Sequence, residues 1–145
     1  MTKAKIFFDM DGTIAGLYGV ENWVDYLDNS NPYPYQHARP LVNMQRLARH
    51  LNTLQKAGYT IGIISWLSRN GNELYNQQVT QAKLVWLKKH LASVEWNEIH
   101  IVAYGTPKET LGQGILFDDE SRNRQNWGLG AYEPKDIFQV LNELE

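Results

Sequence analysis

The chain has 145 residues, a formal net charge of −2 and no cysteine. Its length suits one compact domain with a real core. The charge disfavours nucleic-acid binding by a basic field, and the missing cysteines exclude disulfides, thiolate catalysis and cysteine–zinc sites.

Residues 1–5 lead directly into an apolar run and show no signal-peptide pattern, and no apolar stretch reaches bilayer length. A cytoplasmic location and no membrane partner are therefore expected. Ile6-Phe7-Phe8 is bounded by an acidic turn containing glycine, the pattern of a buried strand opening into a loop. The stretch 15–40 follows, with Pro32, Pro34 and Pro40 among Tyr18, Trp23, Tyr26, Tyr33 and Tyr35. It reads as an insertion with one short helix over 21–27, arching over the strand ends as a small cap or lid. Residues 41–56 place Leu41, Met44, Leu47, Ala48, Leu51 and Leu54 at helical spacing, with Gly58 near the C-terminal cap.

A second strand is expected over 60–65, β-branched and ending at Ser65. A helix over 78–91 sets Val79, Ala82, Val85, Trp86 and Leu91 on or near one face. Strands over 99–102 and 114–117 come next, the latter ending at Asp118-Asp119, and a helix over 134–144 opens with Pro134. Strands alternating with helices predict an α/β fold: a Rossmann-like three-layer sandwich around a parallel sheet, one domain spanning 1–145. Ligands of such sheets bind beyond the carboxyl ends of the strands. Asp9, Ser65 and Asp118 each fall at such an end.

The residue types at those ends suit phosphoryl chemistry. Asp9 and Asp11 stand two apart, just after the first strand and before Gly12 and Thr13. The Asp9 carboxylate could attack phosphorus to give an aspartyl-phosphate, and Asp11 could protonate the leaving oxygen and later activate water. Gly12 lets the backbone turn sharply and approach a phosphate. Asp118 and Asp119, together with Asp9, form a hard oxygen site suited to Mg²⁺, which would screen the developing charge. Ser65 and Lys108 are the candidates to complete a phosphate clamp, and Trp66 could line or plug the pocket mouth.

This ordered set resembles the haloacid dehalogenase superfamily: Asp9-x-Asp11-Gly12-Thr13, then Ser65, then Lys108, then Asp118-Asp119. The resemblance spans residue 5 to about residue 127. It implies a Rossmann-like core and an aspartyl-phosphate mechanism with Mg²⁺. The first aspartate would be nucleophile and metal ligand, and the second an acid–base group whose backbone carbonyl also binds metal. Lys108 shortly precedes the strand carrying the acidic pair, as the family's third motif often does. Lys83 is the competing lysine, but it lies in a helical stretch ahead of Lys88 and Lys89, where a solvated face accounts for it. Within the superfamily the chain is most similar to the small 5′(3′)-deoxyribonucleotidase-like group and compact phage or bacterial proteins. That likeness rests on the helix containing Lys83, Trp86, His90 and Leu91 and on Ile115-Leu116-Phe117-Asp118-Asp119.

The expected activity is Mg²⁺-dependent hydrolysis of a small phosphomonoester, with a nucleoside monophosphate preferred. Trp23, Tyr33 and Tyr35 could form a stacking platform for a ring or could pin the insertion as a satellite core. His37, Arg39 and Arg69 are candidate substrate contacts, and Asn123 a candidate support for the metal site. One alternative keeps the chemistry and acts on 3′-phosphates of nucleic-acid ends. The other is a non-hydrolytic, phospho-accepting receiver-like domain, although its acidic pair would precede the phosphoacceptor, and here the order is reversed.

Overall fold

The computed structural model describes residues 3–145. Its centre is β1 (Lys5–Phe8), with β4 (Thr60–Trp66) paired on one side and β6 (Ile115–Phe117) on the other, both parallel. Outer strands β5 (Glu98–Val102) and β7 (Ala131–Tyr132) complete a five-stranded sheet in the order β5-β4-β1-β6-β7. All its pairs are parallel, so the α/β, Rossmann-like expectation holds. β7 has only two residues, Ala131 and Tyr132, too few for any periodicity to announce it.

Alternation along the strands decides what each sheet face packs against. Ile6, Phe8, Ile61, Ile63 and Phe117 join one core with Leu47, Leu51 and Leu54 of α3 (Met44–Lys56). Trp86 and Leu87 of α4 (Glu73–His90) and Ile137, Val140 and Leu141 of α6 (Ile137–Leu144) enter the same core. Phe7, Ile64 and Leu116 point the other way, toward Leu111 and Trp127. Trp127 ends α5 (Ser121–Trp127), and its indole N–H donates to the Gly114 carbonyl at 3.0 Å. Each aliphatic side chain fully buried this way contributes roughly 1.5–3 kcal/mol of transfer free energy.

Helix boundaries follow caps rather than the apolar pattern. α3 begins at Met44, not at residue 41, because the Asn43 side chain accepts from the Arg46 N–H. α4 begins at Glu73, five residues earlier than periodicity suggested, because Asn72 accepts from the Tyr75 N–H. Tyr75 is thereby buried beneath the insertion and donates its hydroxyl to the Asn31 carbonyl. Val85, expected near the apolar face, is 54% exposed.

The insertion holds two short helices rather than one. β2 (Ala15–Gly16) pairs antiparallel with β3 (Arg39–Pro40), closing the segment at its base. Between them lie α1 (Trp23–Asp28) and α2 (Tyr33–His37). Pro32 and Pro34, which look like loop formers in the sequence, occupy the cap and first turn of α2, where proline's missing N–H is harmless. Tyr35 of α2 packs with Leu17, Tyr75, Val79 and Ala82, so the insertion is fastened to α4.

Candidate active site

The chain runs outward from β1 in one direction through β4 to β5, then returns to build β6 and β7 on the opposite side. This reversal opens a crevice at the carboxyl ends of β1 and β6. Asp9 follows β1 and Asp118 follows β6, and the Asp9 N–H continues their pairing by donating to the Phe117 carbonyl at 2.9 Å.

The turn after Asp9 is tightly wound. The Met10 carbonyl accepts from the N–H groups of Thr13, Ile14 and Ala15, at 3.0, 3.0 and 2.9 Å. Gly12 stands at φ 81°, and a methyl group there would lie 2.7 Å from Asp119 Cγ and 3.0 Å from Tyr18 Cε2. The left-handed conformation favours glycine, and a methyl group would also displace the Asp119 carboxylate from the cluster. The variant Gly12→Ala is expected to lose at least about 1–2 kcal/mol of stability, visible as a lower urea midpoint.

A cavity of about 390 Å³ opens above this turn. Asp9, Asp11, Lys108, Asp118, Asp119 and Asn123 lie among its lining residues, and Tyr18, Trp23, Trp66 and Tyr104 surround them. Asp9, Asp118 and Asp119 each offer a carboxylate oxygen, all within 4.8 Å of one another. Lys108 is 2% exposed and donates to Asp9 Oδ1 at 2.8 Å and to Asp118 Oδ2 at 2.7 Å. Burial by itself would lower the pKa of this ammonium; the charges of Asp9 and Asp118 outweigh it and raise the pKa.

Asp118 is braced from several directions. The Glu120 N–H donates to Oδ1 at 2.9 Å, Asn123 Nδ2 to Oδ2 at 3.1 Å, and Arg124 to its backbone carbonyl at 3.0 Å. Thr13 ties the two acidic strand ends together. Its hydroxyl accepts from the Asp119 N–H at 3.1 Å and faces Asp9 Oδ2 at 2.9 Å and Asp119 Oδ1 at 3.2 Å. It has one proton, so it can satisfy only one of those carboxylates at a time.

Charge does not balance in this cluster. Three carboxylates meet a single ammonium, and Asp119 has no cationic partner among the described residues. Asp119 is exposed at the edge of the cluster, yet partial loss of water around its carboxyl, followed by the Asp9 charge, pushes it up to about 7; burial and then Asp9 also raise Asp118. Hard oxygen donors with surplus negative charge fit Mg²⁺. Asp9, Asp118 and Asp119 are the side chains that would hold it. The Asp11 carboxylate lies outside this group and turns instead toward a lysine.

That lysine is Lys83, and here the solvated-face expectation is overturned. Lys83 is 1% exposed, whereas Lys88 and Lys89 are exposed. Its Nζ donates to Asp11 Oδ2 at 2.9 Å, Ser65 Oγ at 2.5 Å and the Trp66 carbonyl at 2.8 Å. Position 83 falls between Val79 and Trp86 on the buried stripe of α4, a signal available in the helical spacing itself. Ser65 is fully buried, joined to Lys83, and is not among the cavity-lining residues. Trp66 does line the cavity; its indole N–H donates to the Thr106 carbonyl, and its ring centroid lies 5.3 Å from Lys108 Nζ.

The aromatic residues of the insertion divide. Trp23 lines the cavity edge-on to Tyr18, with centroids 5.0 Å apart, and Tyr35 also reaches the cavity from its buried cluster. Tyr33 instead stacks between Tyr26 and His37, away from the cavity lining. Arg69 reaches the rim, whereas His37 and Arg39 do not. Thr13 belongs to the first motif but carries no role there, and Tyr18 and Tyr104 are cavity residues that motif reading passes over, since nothing in the local sequence marks an exposed tyrosine as facing a crevice.

No protein-family model matches the chain, and no curated protein matches it. Among solved structures, D,D-heptose 1,7-bisphosphate phosphatase from Burkholderia thailandensis is similar over 97% of this chain and 97% of its own, at 14% identity and a TM-score of 0.58. The two chains share a fold. A protein from Vibrio cholerae aligns over 99% of this chain and 100% of its own at 19% identity, but its TM-score of 0.43 is too low to carry an argument.

Proposed function

We propose that the protein is a phosphomonoester hydrolase of the haloacid dehalogenase superfamily, working through an aspartyl-phosphate on Asp9 with Mg²⁺ as cofactor. The observation that carries this reading is the convergence of Asp9, Lys108, Asp118 and Asp119 on one cavity at the sheet's reversal point. The fold shared with a bisphosphate phosphatase supports it.

In the first half of the reaction, an Asp9 carboxylate oxygen bonds to phosphorus. The bond from phosphorus to the leaving oxygen breaks, its electron pair stays on that oxygen, and the Asp11 carboxyl supplies the proton. Water then attacks the same phosphorus and gives a proton to Asp11, and Asp9 departs as carboxylate. Burial raises the Asp11 pKa, the direction a proton donor needs, while Lys83 opposes it. Lys108 and the Gly12 turn fix the nucleophile, Lys108 remains charged beside the transferring group, and Ser65 supports the floor from below. Bound Mg²⁺ would supply Lewis-acid stabilisation of phosphoryl charge.

The substrate is a small phosphorylated metabolite, and the aromatic rim of Tyr18, Trp23, Trp66 and Tyr104 favours a ring-bearing one such as a nucleoside monophosphate. The segment 15–40 acts as a reduced lid over a single domain. No helix among the described residues is long and apolar enough to cross a membrane, compatible with a small-molecule substrate met in solution.

The test is an assay of purified protein on an aryl phosphate and on nucleoside monophosphates, with and without Mg²⁺. Hydrolysis is expected to require the metal and to fall by at least about 1,000-fold in Asp9→Asn. Equal rates in wild type and Asp9→Asn would reject the assignment.

A further inference from the structure

Among the described residues two lysines are buried, and they divide the carboxylates between them: Lys108 takes Asp9 and Asp118, and Lys83 takes Asp11. An ammonium has three protons to donate. Those of Lys83 meet Asp11, Ser65 and the Trp66 carbonyl, which leaves none to grip a phosphate. Asp11, by contrast, lines the cavity, and its Oδ1 accepts no protein hydrogen bond among the described residues.

We propose that Lys83 is a positioning residue that holds Asp11 by Oδ2 and thereby keeps Oδ1 available to exchange a proton with the reacting oxygens. The inference rests on the phosphatase reading above. Lys83 touches no substrate and keeps its own protons throughout; the proton that moves in each half-reaction is the one carried by Asp11.

The surroundings of Lys83 make a rigid post. It projects from the buried stripe of α4, where Tyr75, Val79, Ala82, Trp86 and Leu87 supply the packing. Two of its three partners, Ser65 and the Trp66 carbonyl, belong to the end of β4. The Tyr35 ring of the insertion faces its Nζ, 5.2 Å from the centroid. A leucine at this position would avoid the desolvation of a buried cation, so a lysine here is retained against a cost. Through it the loop after β1, the end of β4, α4 and the insertion all meet at Asp11.

The experiment compares leaving groups. An alkyl phosphate releases an alkoxide-like oxygen that needs a proton as it departs, whereas p-nitrophenyl phosphate releases a stable anion. In Lys83→Met, kcat/KM is expected to fall by about 100-fold on an alkyl phosphate, and by less than about 10-fold on p-nitrophenyl phosphate. In an Asp11→Asn background the same change is expected to cost less than about 3-fold, because its route of action is already gone. Thermal melting checks that each variant is folded. Should Lys83→Met fail to fold, Lys83→Gln, which keeps an N–H donor for the Trp66 carbonyl, is read in the same way.

Equal losses on both esters, or losses that multiply with Asp11→Asn, overturn the positioning role while leaving the phosphatase reading intact. Full activity in Asp9→Asn removes both.

Discussion

Lys108→Met is expected to be the most damaging single substitution in the molecule. Among the described residues Lys108 is the only cation paired with the Asp9 and Asp118 carboxylates, and Asp118 itself is 1% exposed. Removing one partner of a buried pair leaves the other charge stranded, which costs about 3–5 kcal/mol. Two stranded carboxylates beside Asp119 place this change at the upper end of that range. A urea titration without metal should show the loss directly. Mg²⁺ at neutral pH should recover part of it, since a cation held by the same oxygens offsets the missing ammonium. Activity should not recover with it, because in the proposed mechanism the lysine charge lies beside the transferring phosphoryl group; kcat/KM should fall by about 1,000-fold or more. Lys108→Arg restores charge but not shape. The wider, planar guanidinium must fit a pocket closed by the Trp66 ring, so an intermediate phenotype is expected. A Lys108→Met protein with the wild-type urea midpoint would show that the paired geometry carries no energetic weight.

The sheet was legible because its strands announce themselves. Ile6 to Phe8, Thr60 to Ser65 and Ile115 to Phe117 are apolar runs that stop at polar residues, and a buried parallel strand demands that pattern. The acidic convergence was legible for a related reason: strand ends in a parallel sheet gather at one edge, so Asp9 and Asp118 could be placed together before any contact was seen. Lys83 was misplaced by its neighbours. Lys88 and Lys89 are solvated, but helical rotation separates them from position 83, which shares its face with Val79 and Trp86. Proline misled in the insertion, where Pro32 and Pro34 begin α2 instead of preventing it. The cavity walls were out of reach altogether. Tyr18, in a single helical turn over Leu17–Gly19, and Tyr104, in the loop after β5, lie far apart in the chain, and their shared position is set by the tertiary path of the insertion and of the segment after β5.

Asp9→Asn is expected to stabilise the metal-free protein while abolishing turnover. Asp9 contributes negative charge to a cluster whose Asp118 and Asp119 carboxyls are already raised, Asp119 to about 7, by burial and then by Asp9 itself. The sign follows from proton counting. A folded-state pKa above the unfolded value means the native state holds protons that the unfolded chain has released. The contribution of these two carboxyls to metal-free stability should therefore be fullest below the ordinary carboxylate range near 3.8 and decline as pH rises toward about 7. An uncharged amide at position 9 keeps an oxygen to accept from Lys108 or Thr13 but removes the repulsion, so the decline should flatten. At pH 7.5 without metal, the variant is expected to melt higher than wild type. A gain of about 1 kcal/mol corresponds to roughly 3–5 °C at this chain length. At pH 4.5 the difference should nearly vanish, because the wild-type Asp118 and Asp119 carboxyls are then largely protonated and no longer repel Asp9. Mg²⁺ should raise the melting temperature of wild type more than that of Asp9→Asn, since the variant has lost both a proposed ligand and part of the repulsion the ion would relieve. A variant that melts below wild type at pH 7.5 without metal would mean that the ion pair to Lys108 outweighs the crowding of carboxylates. A variant that melts above it would mean that the crowding of carboxylates outweighs that pair.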